Sequence, residues 1–182
     1  MAYSKEIERI NIDNTRFIFT TNFSGDPKRD NYGDPRRKVN IIIPSEAQAK
    51  ELTKAGFKIK TTKPGKYDDP ETFVPEYYTP VLVQYRTKEG EPVKYPPNVY
   101  LVPGPGQERV KLTEETVGCL DQIRVKNVNC LATPRDYIDR DGKPAKNLRV
   151  RTMYVEQDVD DDPYADLYRR PDEKAPEPEE DF

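Results

Sequence analysis

QIRVKNVNCLATPRDYIDRDGKPAKNLRVRTMYV, running from Gln122 to Val155, reads as two strands around a tight turn. In the first strand Ile123 and Val125 share one parity, while Val128 and Cys130 share the other. Side chains alternate faces with period two, so both pairs can be buried only if one residue is inserted, and a bulge is expected near Lys126 or Asn127. Asp139-Arg140-Asp141-Gly142 is a strong hairpin turn signal, and Asn147 to Val155 is the returning strand. The same alternation assigns the cations. If Ile123 and Val125 face the core, Arg124 and Lys126 face out; if Leu148 and Val150 face in, Arg149 and Arg151 face out.

The rest of the chain continues in short β-forming runs. Thr15 to Thr21 (TRFIFTT) sets Phe17 and Phe19 against Arg16, Ile18 and Thr20, and Phe17, Phe19, Phe57 and Tyr154 are expected in the core. Lys38 to Ile43 is a further strand, reached through a loop built on Gly25-Asp26-Pro27 and Tyr32-Gly33-Asp34-Pro35. Ser45-Glu46-Ala47-Gln48 reads as a capping box that opens a short helix ending at Ala55 and Gly56. Strands follow at Phe57 to Thr61, at Glu76 to Arg86 and at Asn98 to Val102; Pro80 marks the second of these as an edge or a bulge. A helical turn is expected from Thr113 to Cys119. Six or seven short strands with one short helix predict a mainly β protein, an OB-fold-like small β-barrel, with a β-sandwich as the second choice.

Composition removes several function classes. Histidine is absent, which takes away the commonest general base, the commonest zinc ligand and every Ser/His or Cys/His nucleophilic pair. A carboxylate-held magnesium site is the catalytic route that remains. Pro103-Gly104-Pro105-Gly106 lacks the Lys-Ser/Thr of a phosphate loop, and Asp158 to Asp162 lacks the glycine and distal glutamate of a calcium loop. No cofactor, metal site or catalytic constellation is therefore expected. Cys119 and Cys130 both lie in apolar contexts and are expected as buried free thiols. No stretch approaches the ~18 apolar residues of a membrane span, and the first residues lack a signal-peptide core, so a cytosolic protein is expected.

Charge is unevenly divided. Met1 to Tyr154 carries 27 Lys+Arg against 21 Asp+Glu, whereas Val155 to Phe182 carries 3 against 12, so a net of −3 conceals a basic body and an acidic tail. Residues 1–155 are expected to form the folded domain and 156–182 a disordered acidic tail. From Arg16 to Lys66 there are 12 Lys+Arg and only 5 Asp+Glu, with aromatics interleaved. A cationic groove with aromatic platforms suits single-stranded nucleic acid, because phosphates need Lys/Arg and unpaired bases need a π-face. The candidate contacts are Arg36, Arg37, Lys38, Tyr85, Arg86, Tyr95, Arg124, Lys126, Arg149 and Arg151.

RFIFTTNFSGDP, RRKVNIIIP followed by GFKIK, NVYLV, RVRTMYVEQDVDDDPYADLY and the acidic end closed by Phe182 resemble the single-stranded DNA-binding proteins of tailed bacteriophages. The resemblance implies an OB-fold core, sequence-tolerant binding of single-stranded DNA in replication and recombination, and action in the cytoplasm of the bacterial host. It also implies that Glu179, Glu180, Asp181 and Phe182 recruit replication proteins such as a polymerase, helicase or primase, and it is compatible with a homo-oligomer. Two readings of other classes stand beside it: a virion structural or assembly protein, and a magnesium-dependent nuclease.

A tethered segment of net charge −9 beside a body of +6 competes with DNA for the cationic surface, since tethering supplies a millimolar-range effective concentration. Deleting Asp172 to Phe182 is expected to tighten oligonucleotide binding at low salt, with the gain shrinking as salt rises. Phe182→Ala keeps every carboxylate and is expected to leave that competition nearly intact while losing partner affinity. Titrations of the two variants across salt check both halves.

Overall fold

The Gln122 to Val155 stretch forms the longest ladder in the molecule. In the computed structural model, which describes residues 9–104 and 106–158, β8 (Val125–Ile138) and β9 (Pro144–Gln157) pair antiparallel along nearly their whole length. The turn between them is the one expected. Asp139 Oδ1 accepts from the amides of Asp141 and Lys143, and Gly142 takes φ +75°, which costs glycine no Cβ clash.

Two register shifts interrupt the ladder. Val125 faces Gln157 and Asn127 faces Glu156, so Lys126 is the extra residue on β8, at the position expected for a bulge. Leu131 faces Thr152 and Ala132 faces Val150, so Arg151 is the extra residue on β9. The second bulge lets Leu148, Val150, Met153 and Val155 all point to the core although their spacing is not uniformly even.

The remaining strands assemble on this hairpin. They are β1 (Ile10–Thr15), β2 (Phe17–Asn22), β3 (Lys38–Ile43), β4 (Lys60–Thr61), β5 (Tyr77–Leu82), β6 (Asn98–Val102) and β7 (Val110–Leu112). The sheet runs β1-β8-β9-β5-β3-β2, with β4 on β5, β6 parallel to β9, and β7 on β6. Its two ends, β1 and β2, are consecutive segments separated only by Arg16, so one bent stretch of chain meets both ends of the curled sheet. The architecture is mainly β and OB-fold-like, and the ladder is not closed, because β1 and β2 are not paired with each other. The core lies on the inner side, filled by Ile10, Ile12, Val39, Ile41, Val81, Val99, Val128, Leu148 and Met153.

The short helix α1 (Glu46–Lys54) begins where the capping box places it. Ser45 Oγ accepts from the Gln48 amide at 3.2 Å, Ala49 and Leu52 are buried, and Gly56 follows at φ +98°. Pro80 is tolerated in β5 because β4 reaches only Tyr78 and β9 begins at Val81, which leaves no ladder partner opposite it on that side.

Several expectations are corrected. Ile10–Thr15 is a strand the sequence reading omitted. Phe19 is not a core residue: the register of β2 on β3 shifts beyond Ile18, Phe19 takes φ +63°, and its ring turns out, 62% exposed, against the edge of Tyr78. The turn expected at Thr113 to Cys119 is displaced to a 3-10 helix at Val117–Gln122, whose three-residue period buries Val117 and Leu120 and leaves Cys119 exposed. Cys130 is the buried thiol, and burial raises its pKa to about 12. The expectations for residues 159–182, the acidic tail with Glu179, Glu180, Asp181 and Phe182, lie outside the described residues, and β9 itself runs to Gln157.

A buried carboxylate ties that 3-10 helix to the start of the cationic loop. Asp121, whose side chain is 1% exposed, accepts from Thr21 Oγ1 at 2.7 Å, from the Phe23 and Ser24 amides at 2.9 and 3.0 Å, and faces Arg29 Nε at 3.4 Å. Removing it leaves the partly buried Thr21 hydroxyl and Phe23 amide without their acceptor at once. Asp121→Ala is expected to lower unfolding free energy by about 3 kcal/mol, and Asp121→Asn by less because one acceptor oxygen survives; urea unfolding of the two variants checks the order.

Candidate nucleic-acid interface

The outer side of β9 carries Arg149, Arg151, Thr152 and Tyr154, since Leu148, Val150, Met153 and Val155 occupy the inner side. The bulge at Arg151 is what sets two consecutive residues, Arg151 and Thr152, on that outer side. By the rise of a strand, Arg149 and Tyr154 stand roughly 15 Å apart. Three groups line this interval.

At one end Arg149 lies across the ladder from Thr133, and Arg135 reaches it from the next outward position on β8. Arg135 donates to Gln84 Oε1 at 2.8 Å and Arg149 donates to the same oxygen at 3.3 Å. Burial, and then the neighbouring Arg135 charge, hold the Arg149 guanidinium below its usual pKa. In the middle the Arg151 guanidinium lies over the ring of Tyr95, 5.0 Å from its centroid, with Lys94 at 5.4 Å. At the far end Tyr154 stacks on Tyr100 of the parallel neighbour β6, with centroids 4.8 Å apart and planes inclined by 16°. Arg109 covers this pair, 4.5 Å from the Tyr100 ring, and donates to the Tyr154 hydroxyl.

Among the described residues none of Arg109, Arg135, Arg149 and Arg151 forms an ion pair with a carboxylate. A row of guanidiniums interleaved with tyrosine faces, and with no paired carboxylate among the described residues, is complementary to an extended polyanion bearing flat apolar groups.

The ten residues singled out by sequence divide into two sets. Arg149 and Arg151 lie in the row, Tyr95 is 64% exposed beside it, and Arg124 and Lys126 are exposed at the start of β8, near the Tyr154 end. The other five are placed elsewhere. Arg36 is bound to Asp34, with its Nη2 at 2.8 Å from Oδ2, an interaction that raises the arginine pKa and lowers the aspartate's. Arg37 donates to the Phe23 carbonyl at 2.9 Å and the Glu114 carbonyl at 3.1 Å, and Lys38 lies 3.8 Å from Asp30. Arg86 holds Glu114 Oε1 at 2.8 Å, which raises its pKa. These contacts tie down the loop between β2 and β3 and the segment after β5.

Tyr85 is 9% exposed within the core cluster, and its hydroxyl is buried without a hydrogen-bond partner among the described residues. Desolvation raises its pKa to about 12, with Arg37 over the ring opposing the shift only in part. Its ring is packed, not presented. Tyr100, Tyr154, Arg109 and Arg135 are the members of the row that the sequence reading did not name as contacts, and Tyr154 was expected in the core. The available signal for Tyr154 was its even spacing from Thr152 and odd spacing from Met153, readable only once the Arg151 bulge is known.

Among the described residues no helix is long and apolar enough to cross a membrane, and no three acidic or cysteine side chains converge on a metal-sized site. No curated protein matches the chain. Among solved structures it is similar to the single-stranded DNA-binding protein from bacteriophage Enc34, with 14% identity over 91% of this chain and 97% of that chain and a TM-score of 0.47. It is similar also to gp2.5, a single-stranded DNA-binding protein encoded by bacteriophage T7, with 13% identity over 93% and 99% of the two chains and a TM-score of 0.42. A family model described as "Putative phage ssDNA-binding domain" matches residues 1–178. The chain belongs to this family of phage single-stranded DNA-binding proteins, which are binding proteins and not enzymes.

Proposed function

We propose that the outer face of β6, β8 and β9 binds single-stranded DNA with little regard to sequence, in phage DNA replication and recombination in the bacterial cytoplasm. The observation that carries this reading is the row Arg149, Arg151 with Tyr95, and Tyr154 with Tyr100 and Arg109, without a carboxylate partner among the described residues. Guanidiniums neutralise phosphates whatever the base, and every base has a face to stack. Binding only the unpaired state melts hairpins without ATP, because a ligand selective for one state draws the equilibrium toward it. The acidic segment from residue 156 to 182, ending in Glu179, Glu180, Asp181 and Phe182, recruits a polymerase, helicase or primase in this reading, with the phenyl ring as anchor and the carboxylates as steering charge.

An oligonucleotide shift assay across salt, with and without magnesium, tests the reading. Log affinity is expected to fall with log salt by ~0.7 per neutralised phosphate, with no strand cleavage in magnesium. Arg151→Ala is expected to flatten that slope, and Arg36→Ala, which removes a cation already bound to Asp34, to leave it unchanged. A slope of zero, or an equal effect of both substitutions, contradicts the assignment.

Stacking is read separately. The chain has no Trp, so quenching of tyrosine emission by oligo-dT reports the Tyr95, Tyr100 and Tyr154 rings. Tyr95→Ala is expected to cost about 1 to 3 kcal/mol of DNA affinity, whereas Tyr85→Ala lowers thermal stability and leaves the affinity of the folded protein nearly as it was.

A further inference from the structure

The two guanidiniums at the β8 end of the row are held in a way that neither packing nor solvation requires. Arg135 and Arg149 come from different strands and converge on one neutral acceptor, Gln84 Oε1, at 2.8 and 3.3 Å. The orientation of that amide is fixed, because Gln84 Nε2 donates to the Arg86 carbonyl at 3.0 Å, so the oxygen must face the arginines. Arg149 Nε is buried and has no hydrogen-bond partner among the described residues, and neither has the Oδ1 of Asn147, two residues before it on the same strand face. Two like charges have thus been brought together, partly desolvated, with one uncharged oxygen between them and a donor unsatisfied. Such an arrangement costs stability unless an anion completes it. An oxyanion such as a phosphate group suits this arrangement, because planar guanidinium forks grip such anions with paired N–H donors.

We infer that Arg135, Arg149 and Gln84 form a discrete oxyanion site that grips one phosphate group of the bound strand and fixes its register on the face. The inference rests on the reading of that face as DNA-binding and adds to it a division of labour. Arg151 and Arg109 lie on aromatic rings and act as general cationic cover, whereas the Arg135–Arg149 pair is an anchor at one end. Gln84 is the positioning residue. Its amide holds both forks in place while contributing no negative charge that would compete with the phosphate.

The site separates from plain electrostatics by substitutions that conserve charge. A lysine supplies the same charge as arginine without the paired donors, so Arg149→Lys and, from the other strand, Arg135→Lys are each expected to weaken oligonucleotide binding by about tenfold with little change in salt slope. Gln84→Glu supplies an internal anion and is expected to weaken it by at least as much. The second measurement uses the full chain and inorganic phosphate alone. Melting in sodium phosphate is compared with melting in sodium chloride at matched ionic strength; phosphate is expected to raise the wild-type midpoint beyond the rise seen in all three variants, since exclusion of phosphate from the surface acts on every variant alike. Lysine variants that bind the oligonucleotide as wild type does, and that show the same phosphate increment, overturn the site while leaving the salt slope and tyrosine quenching of the wider face untouched. A wild type that shows the phosphate increment but no oligonucleotide affinity overturns the reading of the face instead, and makes the bound species a free anion.

Discussion

The side-chain period of two along β8 and β9 is the constraint from which the rest of this structure descends. A ladder of this length without interruption would carry one strict alternation from end to end and little curl. The extra residues at Lys126 and Arg151 break the alternation twice, on opposite strands. Each break raises local twist, which bends the hairpin so that β5 and β6 can both lie parallel to β9, at Leu148–Arg149 and at Thr152–Glu156 respectively. One strand thereby serves three neighbours. The same breaks decide which side chains look outward, so the fold and the binding row are set by one pair of irregularities.

Charge on the body is used for two purposes that composition alone does not separate. Arg29, Arg36, Arg37, Lys38 and Arg86 are bound to Asp121, Asp34, Glu114, Asp30 and Glu114 in turn, and they brace loops that have few apolar residues to hold them. Arg109, Arg135, Arg149 and Arg151 have no such partners among the described residues. The first set substitutes for a core under long loops, and the second leaves a surface potential uncancelled.

What could be read in advance follows the range of the interactions involved. The capped helix at Ser45, the strand Lys38–Ile43, the turn at Asp139 and the bulge near Lys126 are encoded within a few residues and were legible. The outward placement of Arg149 and Arg151 was legible for the same reason, since alternation is local. The pairing of Arg37 or Arg86 with Glu114 was not, because 28 residues or more separate the partners and net charge over a window counts neighbours in sequence rather than in space. Tyr100, Tyr154 and Arg109 meet only through the parallel register of β6 on β9. Tyr85 and Tyr95 look alike as tyrosines beside a cation, yet one lies inward of the β5 edge and the other on an exposed loop. Phe19 defeats alternation by its left-handed backbone, which no pattern of apolar residues announces.

The pairing of β1 with β8 has a consequence for how the chain is made. Asn14 and Asn129, which the ladder brings within hydrogen-bond distance, are 115 residues apart in sequence. At typical elongation rates the ribosome needs on the order of ten seconds to deliver the second after the first. Through that interval β1 has emerged while β8, its strand partner among the described residues, has not, leaving Ile10 and Ile12 without their place in the core. The β8–β9 hairpin, by contrast, contains its own partner and forms as soon as it is released, within microseconds by the rates of hairpin closure. β1 is therefore among the last described strands to be docked although it is made before its partner, and the β8–β9 hairpin supplies the template on which it docks.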